Sequence, residues 1–402
     1  MKKTVIVNAK AITPFRVIEN AAIIVEGEKI SAVVEKPLEI PSDCDYSVID
    51  AKGRYASPGF IDRHVHGGGG ADLMTGNPDD VVKMCLAHAS YGTTSIMPTA
   101  SAASSPMTLG AIEAVKKAGV TIKGSNILGI HLEGPFFSME QRGAQNPEFI
   151  IPATREVYMK LLDAWDGVRL MSAAPEVEGG LELGRELRRR GITAAIAHSN
   201  ATFDEVVMAL ENGYTNIGHI YSGCSLTRRV NAYRIAGVVE AGLTLNEITV
   251  EVIGDGKHLP PSLLRHIYHC KGSDRICLIT DGLTVSAMDL PDGHRFITEN
   301  GVERVIDDGV VKVVTMDSFA GSLATLSKVV NNMVKLADVP LVEAVKMATY
   351  VPAKSIGISD RKGILAAGMD ADIILFNAEV QVSTVMVMGT VYKQCLSVDN
   401  VA

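Results

Sequence analysis

Short apolar runs punctuate the chain from end to end, and what separates them changes twice. At 4–8 (TVIVN), 21–25 (AAIIV), 29–34 (KISAVV) and 46–50 (YSVID) the runs are β-rich, and Gly, Pro and charged turns divide them. No helical period appears until after residue 75. At the far end 371–377 (ADIILFN) and 384–392 (TVMVMGTVY) resume the strand character. Two β-rich ends around a different middle predict that the termini meet in one small β domain.

The middle alternates. Apolar runs at 60–66, 93–99, 127–135, 168–176, 192–199, 216–222, 248–256 and 275–282 are spaced by helix-like stretches such as 79–91, 106–119, 154–165, 179–190, 203–212 and 260–271. Eight β-runs alternating with helices over about 220 residues predict an α/β fold, a (β/α)₈ barrel of the TIM type. An open doubly wound sheet shares the periodicity. Most runs begin apolar and finish polar, with His64 and His66, Thr99, Glu133, Glu176, His198, His219, Asp255 and Asp281 at the ends. In a parallel barrel those ends share one rim, where active sites sit.

Composition narrows the classes. The 402 residues are 47% hydrophobic and 21% charged, which suits a large core plus a smaller companion. A formal charge of −8 with no basic stretch argues against a nucleic-acid partner. It leaves room for a small anionic substrate. Cys44, Cys85, Cys224, Cys270, Cys277 and Cys395 form no C-x-x-C pair, so reduced thiols are expected. The opening MKKTVIVNAKAITPF reads as a strand and not a secretory signal, and no apolar run approaches the ~20 residues of a membrane span. A cytoplasmic protein is expected.

Strand geometry puts His64 and His66 (DRHVH) on one face, because residues i and i+2 point the same way. Glu133 ends a strongly apolar run, where an unpaired carboxylate is costly. His131 shares its face as a supporting group. Taken singly, each has a plain structural alternative: a hydrogen-bonded core histidine for His198 or His219, a salt-bridge partner or helix cap for Glu133, a solvated turn for Asp281. Together, imidazoles and carboxylates from separate strands are the donors that borderline divalent metals such as zinc accept. A metal lowers the pKa of bound water and polarises a carbonyl, and Asp281 is placed to move the proton. Amide or ester hydrolysis is the reaction class expected.

The segments PGFIDRHVHGGGGAD (58–72), GIHLEGPFFSMEQRGAQNP (129–147), AHSNAT (197–202), GHIYSGCS (218–225), DGKHLPP (255–261), LITDG (278–282) and FAGS (319–322), in that order, resemble the N-acetylglucosamine-6-phosphate deacetylase family of the amidohydrolase superfamily. The closing GILAAGMDADIILFN (363–377) is similar to the superfamily's C-terminal segment. The resemblance implies a barrel over 56–357 with a β-sandwich made from 1–55 and 358–402, assembled as a homodimer. It implies a divalent metal, Zn²⁺ first, as one or two ions. Glu133, His198 and His219 match its principal ligands, and His64 and His66 match a pair associated with a second metal. Asp281 matches the acid/base. His258 matches a residue that contacts sugar hydroxyls, Ala144 and Gln145 a turn that contacts substrate, and Phe319, Ala320 and Gly321 a backbone segment over the acyl group.

The chain departs from the family in the stretch after His219. Where the family reads H-L-F/Y-N-A-M, this sequence reads HIYSGC, so Ser222 and Gly223 replace an Asn-Ala pair that helps hold the substrate phosphate. Arg234, in RIAG, resembles the arginine that reaches the phosphate across the dimer, though the stretch before it is about four residues longer. Arg228 and Arg229 are further candidate donors, or simply solvated. The segment 283–318 resembles the family's lid. The function implied is deacetylation of an N-acetylated amino-sugar phosphate. A related amidohydrolase acting on another epimer or an unphosphorylated sugar is the alternative, and a barrel without catalysis a third.

Overall fold

A computed structural model describes residues 3–36, 46–121 and 123–394. Cys44 and Cys395 lie outside them; Cys85, Cys224, Cys270 and Cys277 are unpaired.

The termini do meet. Lys3–Ile12, Val17–Glu26, Lys29–Val34, Ser47–Asp50 and Tyr55–Pro58 join Ile373–Phe376, Val382–Val387 and Thr390–Gln394 in one eight-stranded sheet. The two ends are stitched where Tyr55–Pro58 runs antiparallel to Ile373–Phe376, with Tyr55 opposite Phe376. Ile6, Ile23, Ile30, Ala56, Ile373, Leu375 and Met386 form this sheet's own core. Isoleucine is the commonest large residue in it, as a pleated surface favours. Buried charge sits beside that core. Lys362 Nζ lies 2.9 Å from Asp370 Oδ2 and also contacts Asp372, while Lys29 reaches Asp370 Oδ1 at 2.7 Å. Ser95, on a barrel strand, donates to Asp372 Oδ2 at 3.4 Å, so the cluster links the two parts.

At Gly59 the chain passes from sheet to barrel. A Cβ there would lie 2.0 Å from Thr94 Oγ1, so no side chain fits. Phe60–Val65, Thr93–Ala100, Ile130–Glu133, Val168–Ala173, Thr193–Ile196, Tyr214–Ile217, Thr249–Ile253 and Ile276–Ile279 then follow as parallel neighbours. The ring closes between last and first: Val65 bridges Gly282 in parallel, and Asp281 N donates to His64 O at 3.0 Å. This is the TIM-type barrel, and the open sheet is excluded. Its strands are buried on both faces because helices cover them outside.

The helices Pro78–Ala89, Ser105–Ala118, Arg155–Leu162, Gly180–Arg190, Phe203–Glu211 and Pro261–Lys271 fall where the pattern places them. Val238–Thr244, Leu326–Ala337, Leu341–Met347 and Tyr350–Ser355 are additional. Between the last barrel strand and residues 319–322 lies a small antiparallel sheet, Arg295–Ile297, Glu303–Asp307 and Val310–Val313. It packs on the barrel mouth through Leu283, Val285, Ile306, Val311 and Ala320. A hairpin, Arg228–Val230 with Tyr233–Ile235, stands largely exposed.

Candidate metal centre and substrate cavity

Four imidazoles arrive at the rim already oriented. His198 Nδ1 donates to Gln141 O at 2.9 Å, His219 Nδ1 to Ser222 O at 3.0 Å, and His66 Nδ1 to Thr99 O at 3.1 Å. His64 Nδ1 donates to the Glu251 carboxylate at 2.9 Å. A proton committed on Nδ1 leaves each Nε2 with its lone pair facing inward. There the four Nε2 atoms surround Glu133. His219 lies 2.9 Å and His198 3.3 Å from Oε1, His64 is 3.4 Å from Oε1, and His66 is 3.5 Å from Oε2. Asp281 Oδ1 stands 3.1 Å from His66 Nε2 and 3.7 Å from His64 Nε2.

Backbone strain accompanies this convergence. His198 (φ 47°), His219 (φ 23°) and Asp281 (φ 49°) all turn left-handed where their strands end. Such conformations cost roughly 1–3 kcal/mol each in non-glycine residues and persist only where surrounding structure imposes them. Gly223 (φ 57°) closes the turn under His198: a Cβ there would lie 2.7 Å from His198 Nδ1 and 2.8 Å from Gln141 O. This chain's own turn thus leaves no room for a side chain at position 223.

The electrostatics ask for positive charge at the centre. Burial disfavours the charge on Glu133, yet the facing imidazoles, His64 first and then His198 and His219, hold its pKa well below the ordinary value. Burial likewise opposes ionisation of Asp281, but the facing imidazoles of His66 and His64 bring it down to about 2. His64 is pulled well above its usual value against burial by Glu251 and Glu133. His131 is different. Burial and the neighbouring His64 push its pKa well below normal, so it stays neutral, bonded to Ser172 Oγ at 2.7 Å and Thr99 Oγ1 at 3.2 Å.

Do these residues fit a metal? Imidazole Nε2 atoms facing carboxylate oxygens at 2.9–3.5 Å need a positive charge between them, a proton or a metal ion. The buried His64 Nε2 has no hydrogen-bond partner. Glu133, His198 and His219 make one group of convergent donors, and His64, His66 and Glu133 make a second that shares the carboxylate. Mixed imidazole and carboxylate donors suit a borderline divalent ion. They fit.

Above the centre opens a cavity of about 260 Å³. Ala144, Gln145, Ser222, Gly223, His258, Phe319, Ala320 and Gly321 all line it, together with Asp281. Gln145 also does something the sequence did not suggest: its Nε2 donates to Glu133 Oε2 at 2.9 Å, steadying that carboxylate. Asp255 holds His258 through Nδ1 at 2.7 Å. Glu176 turns elsewhere, accepting Ser199 Oγ at 2.7 Å to fix the loop after His198. Arg234 is exposed on its hairpin and does not line its own chain's cavity.

Two residues that support the site escaped the sequence pattern. Glu251 and Arg63, both with wholly buried side chains, pair at 3.0 Å beneath His64, and Arg63 Nη2 also donates to Asn216 Oδ1 at 2.9 Å. The available signal was a carboxylate inside the apolar strand VEVI and an arginine next to His64, charges that a barrel interior tolerates only in pairs.

A barrel with imidazole and carboxylate donors gathered at the C-terminal rim defines a metal-dependent hydrolase architecture. The amidohydrolase family model matches residues 55–392, and the chain belongs to that family. Among curated relatives, it is 33% identical over 338 residues to the N-acetylglucosamine-6-phosphate deacetylase of Vibrio furnissii, covering 83% of this chain and 81% of that one. It is 32% identical over 352 residues to the N-acetylgalactosamine-6-phosphate deacetylase of Escherichia coli O157:H7, covering 85% and 89%. The crystal structure of N-acetylglucosamine-6-phosphate deacetylase from Pasteurella multocida superposes with a TM-score of 0.90 at 27% identity, over 98% of this chain and 100% of that one.

Proposed function

We propose that this chain is a metal-dependent deacetylase that hydrolyses the N-acetyl amide of an amino-sugar 6-phosphate. N-acetylglucosamine 6-phosphate is the leading substrate, with glucosamine 6-phosphate and acetate as products. The observation that carries it is the inward convergence of four Nε2 lone pairs on Glu133 beside Asp281, under a sugar-sized cavity. Glu133, His198 and His219 would hold one ion and His64 and His66 a second, with Zn²⁺ the ion that best suits the donors. When bound, such an ion supplies Lewis acidity at the amide carbonyl and acidifies a water.

The chain's own groups do the rest. Asp281 is ionised through the neutral range, so its carboxylate accepts the proton of the attacking water and returns it to the departing amine. His258, fixed by Asp255, presents its free ring edge to the sugar. The backbone of Phe319, Ala320 and Gly321 walls the acyl side, and Ala144, Ser222 and Gly223 line the remainder. The exposed hairpin bearing Arg234 would meet a second copy in a homodimer. Four unpaired cysteines suit a reducing compartment, the cytoplasm. Among the described residues no helix is long and apolar enough to cross a membrane.

A second substrate has its own support: the Escherichia coli relative is named for the galactosamine epimer. Purified protein with Zn²⁺ should release free amine from N-acetylglucosamine 6-phosphate or N-acetylgalactosamine 6-phosphate. The ratio of kcat/KM assigns the epimer. No amine from either would refute the deacetylase.

A further inference from the structure

Arg304 sits on Glu303–Asp307, the central strand of the small sheet over the barrel mouth, paired on both sides through Phe296 and Val313. Its side chain does not point to solvent: the residue is 6% exposed and lines the substrate cavity. Among the described residues it makes no ion pair, and its buried Nε has no hydrogen-bond partner. Burial disfavours its charge, while Asp72, Asp281 and Glu133 favour it from a distance. Guanidinium remains protonated in proteins, so a permanent cation faces the cavity without a counter-charge in contact.

Such a group is costly to bury and stays only where something completes it. Within the protein the candidates are few. Among the described residues lining the cavity, Arg304 is the one Lys or Arg. Arg234 is exposed elsewhere, and Arg228 donates to Asn200 Oδ1 at 3.1 Å. The same cavity presents Ser222 and Gly223, whose side chains offer one hydroxyl in all. A planar fork of donors is the chemistry that recognises phosphate or carboxylate oxygens.

We propose that Arg304 is a specificity residue of this pocket, its guanidinium taking an anionic oxygen of the substrate, supplied by the sugar phosphate or by a carboxylate on the N-acyl group. Its role rests on the cavity being the substrate site proposed above.

The test compares wild type, R304M and R304K on N-acetylglucosamine 6-phosphate, N-acetylglucosamine, N-succinylglucosamine 6-phosphate and N-succinylglucosamine. Loss of a charge-assisted hydrogen bond predicts that R304M loses about 10- to 100-fold in preference for the anionic partner of one pair, measured as a ratio of kcat/KM. If the phosphorylated/unphosphorylated ratio collapses, the phosphate is the source. If the succinyl/acetyl ratio collapses, it is the acyl carboxylate. R304K should restore part of the lost ratio, which a purely structural defect would not do. Equal change on all four substrates, or none, overturns the assignment. Should wild type turn over nothing, the deacetylase reading fails separately. Calorimetric binding of glucosamine 6-phosphate and N-succinylglucosamine then decides: weaker binding of either to R304M sustains the anion site, and unchanged binding of both removes it.

Discussion

Glu251→Gln separates the stability of the barrel interior from the tuning of its metal centre. The substitution preserves shape but removes the one charge that both balances Arg63, at 3.0 Å, and accepts the His64 Nδ1 proton, at 2.9 Å. Both side chains of the ion pair are wholly inaccessible. The pair is a contact of charges and not an aligned hydrogen bond, since neither Arg63 Nε nor Glu251 Oε1 has a hydrogen-bond partner. Leaving Arg63 unpaired should therefore cost about 3–5 kcal/mol, the scale for breaking a buried pair on one side. That is a large part of the ~5–15 kcal/mol that keeps a typical domain folded. Loss of the charged tether on His64 should weaken metal binding by about 10- to 100-fold. Urea unfolding of the metal-free protein reads the first effect, and competition with a chelator reads the second. Arg63→Met is the control, because it leaves Glu251 on His64: it should destabilise without a comparable fall in metal affinity. In the double variant R63M/E251Q stability should partly recover while affinity does not. If Glu251→Gln alone leaves both the unfolding curve and the chelator competition unchanged, the buried network has no such role.

Three further outcomes are expected. Asp281→Asn should keep metal stoichiometry and lower kcat by about 10²-fold or more, the scale of general acid/base loss; retained turnover would remove Asp281 as proton carrier. Gly223→Ala should cost about 1–2 kcal/mol for the left-handed backbone, and its Cβ should break the His198 Nδ1 to Gln141 bond. Chelator competition should then show weaker metal binding, and an unaltered affinity would contradict the clash. Against burial, Lys29 and Lys362 hold the Asp370 carboxyl below its ordinary value. A depressed folded-state pKa adds stability above the unfolded value, near 3.8, and loses it as pH falls through the folded value. Asp370→Asn should flatten the stability curve in that acidic window, and identical acid sensitivity in wild type and variant would rule the contribution out.

Much of this molecule is legible in one dimension. The eight barrel strands all overlap the expected apolar runs, because strands covered on both faces read as continuous hydrophobic stretches, although Tyr214–Ile217 starts two residues before its run. The rim follows too, since parallel strands deliver their ends to one side, and the order of Glu133, His198, His219 and Asp281 carries the family resemblance. Leu326, Val329, Val330, Met333 and Ala337 bear the helical period of an element the motifs did not mark. What no pattern contains is pairing at a distance. Arg63 meets Glu251, Gln145 reaches Glu133, and Arg304 enters the cavity because elements remote in sequence are packed together.

The strands and most of the outer helices of the barrel, the class of fold and the donors available for chemistry can be read from the chain itself, because periodicity and residue type are local properties. Folding in three dimensions settles which imidazole nitrogen faces the centre, which carboxylate is shared, and which arginine is left without an ion-pair partner. Those depend on distances of a few ångströms in a low-dielectric interior, where a charge is worth what its nearest neighbour makes of it.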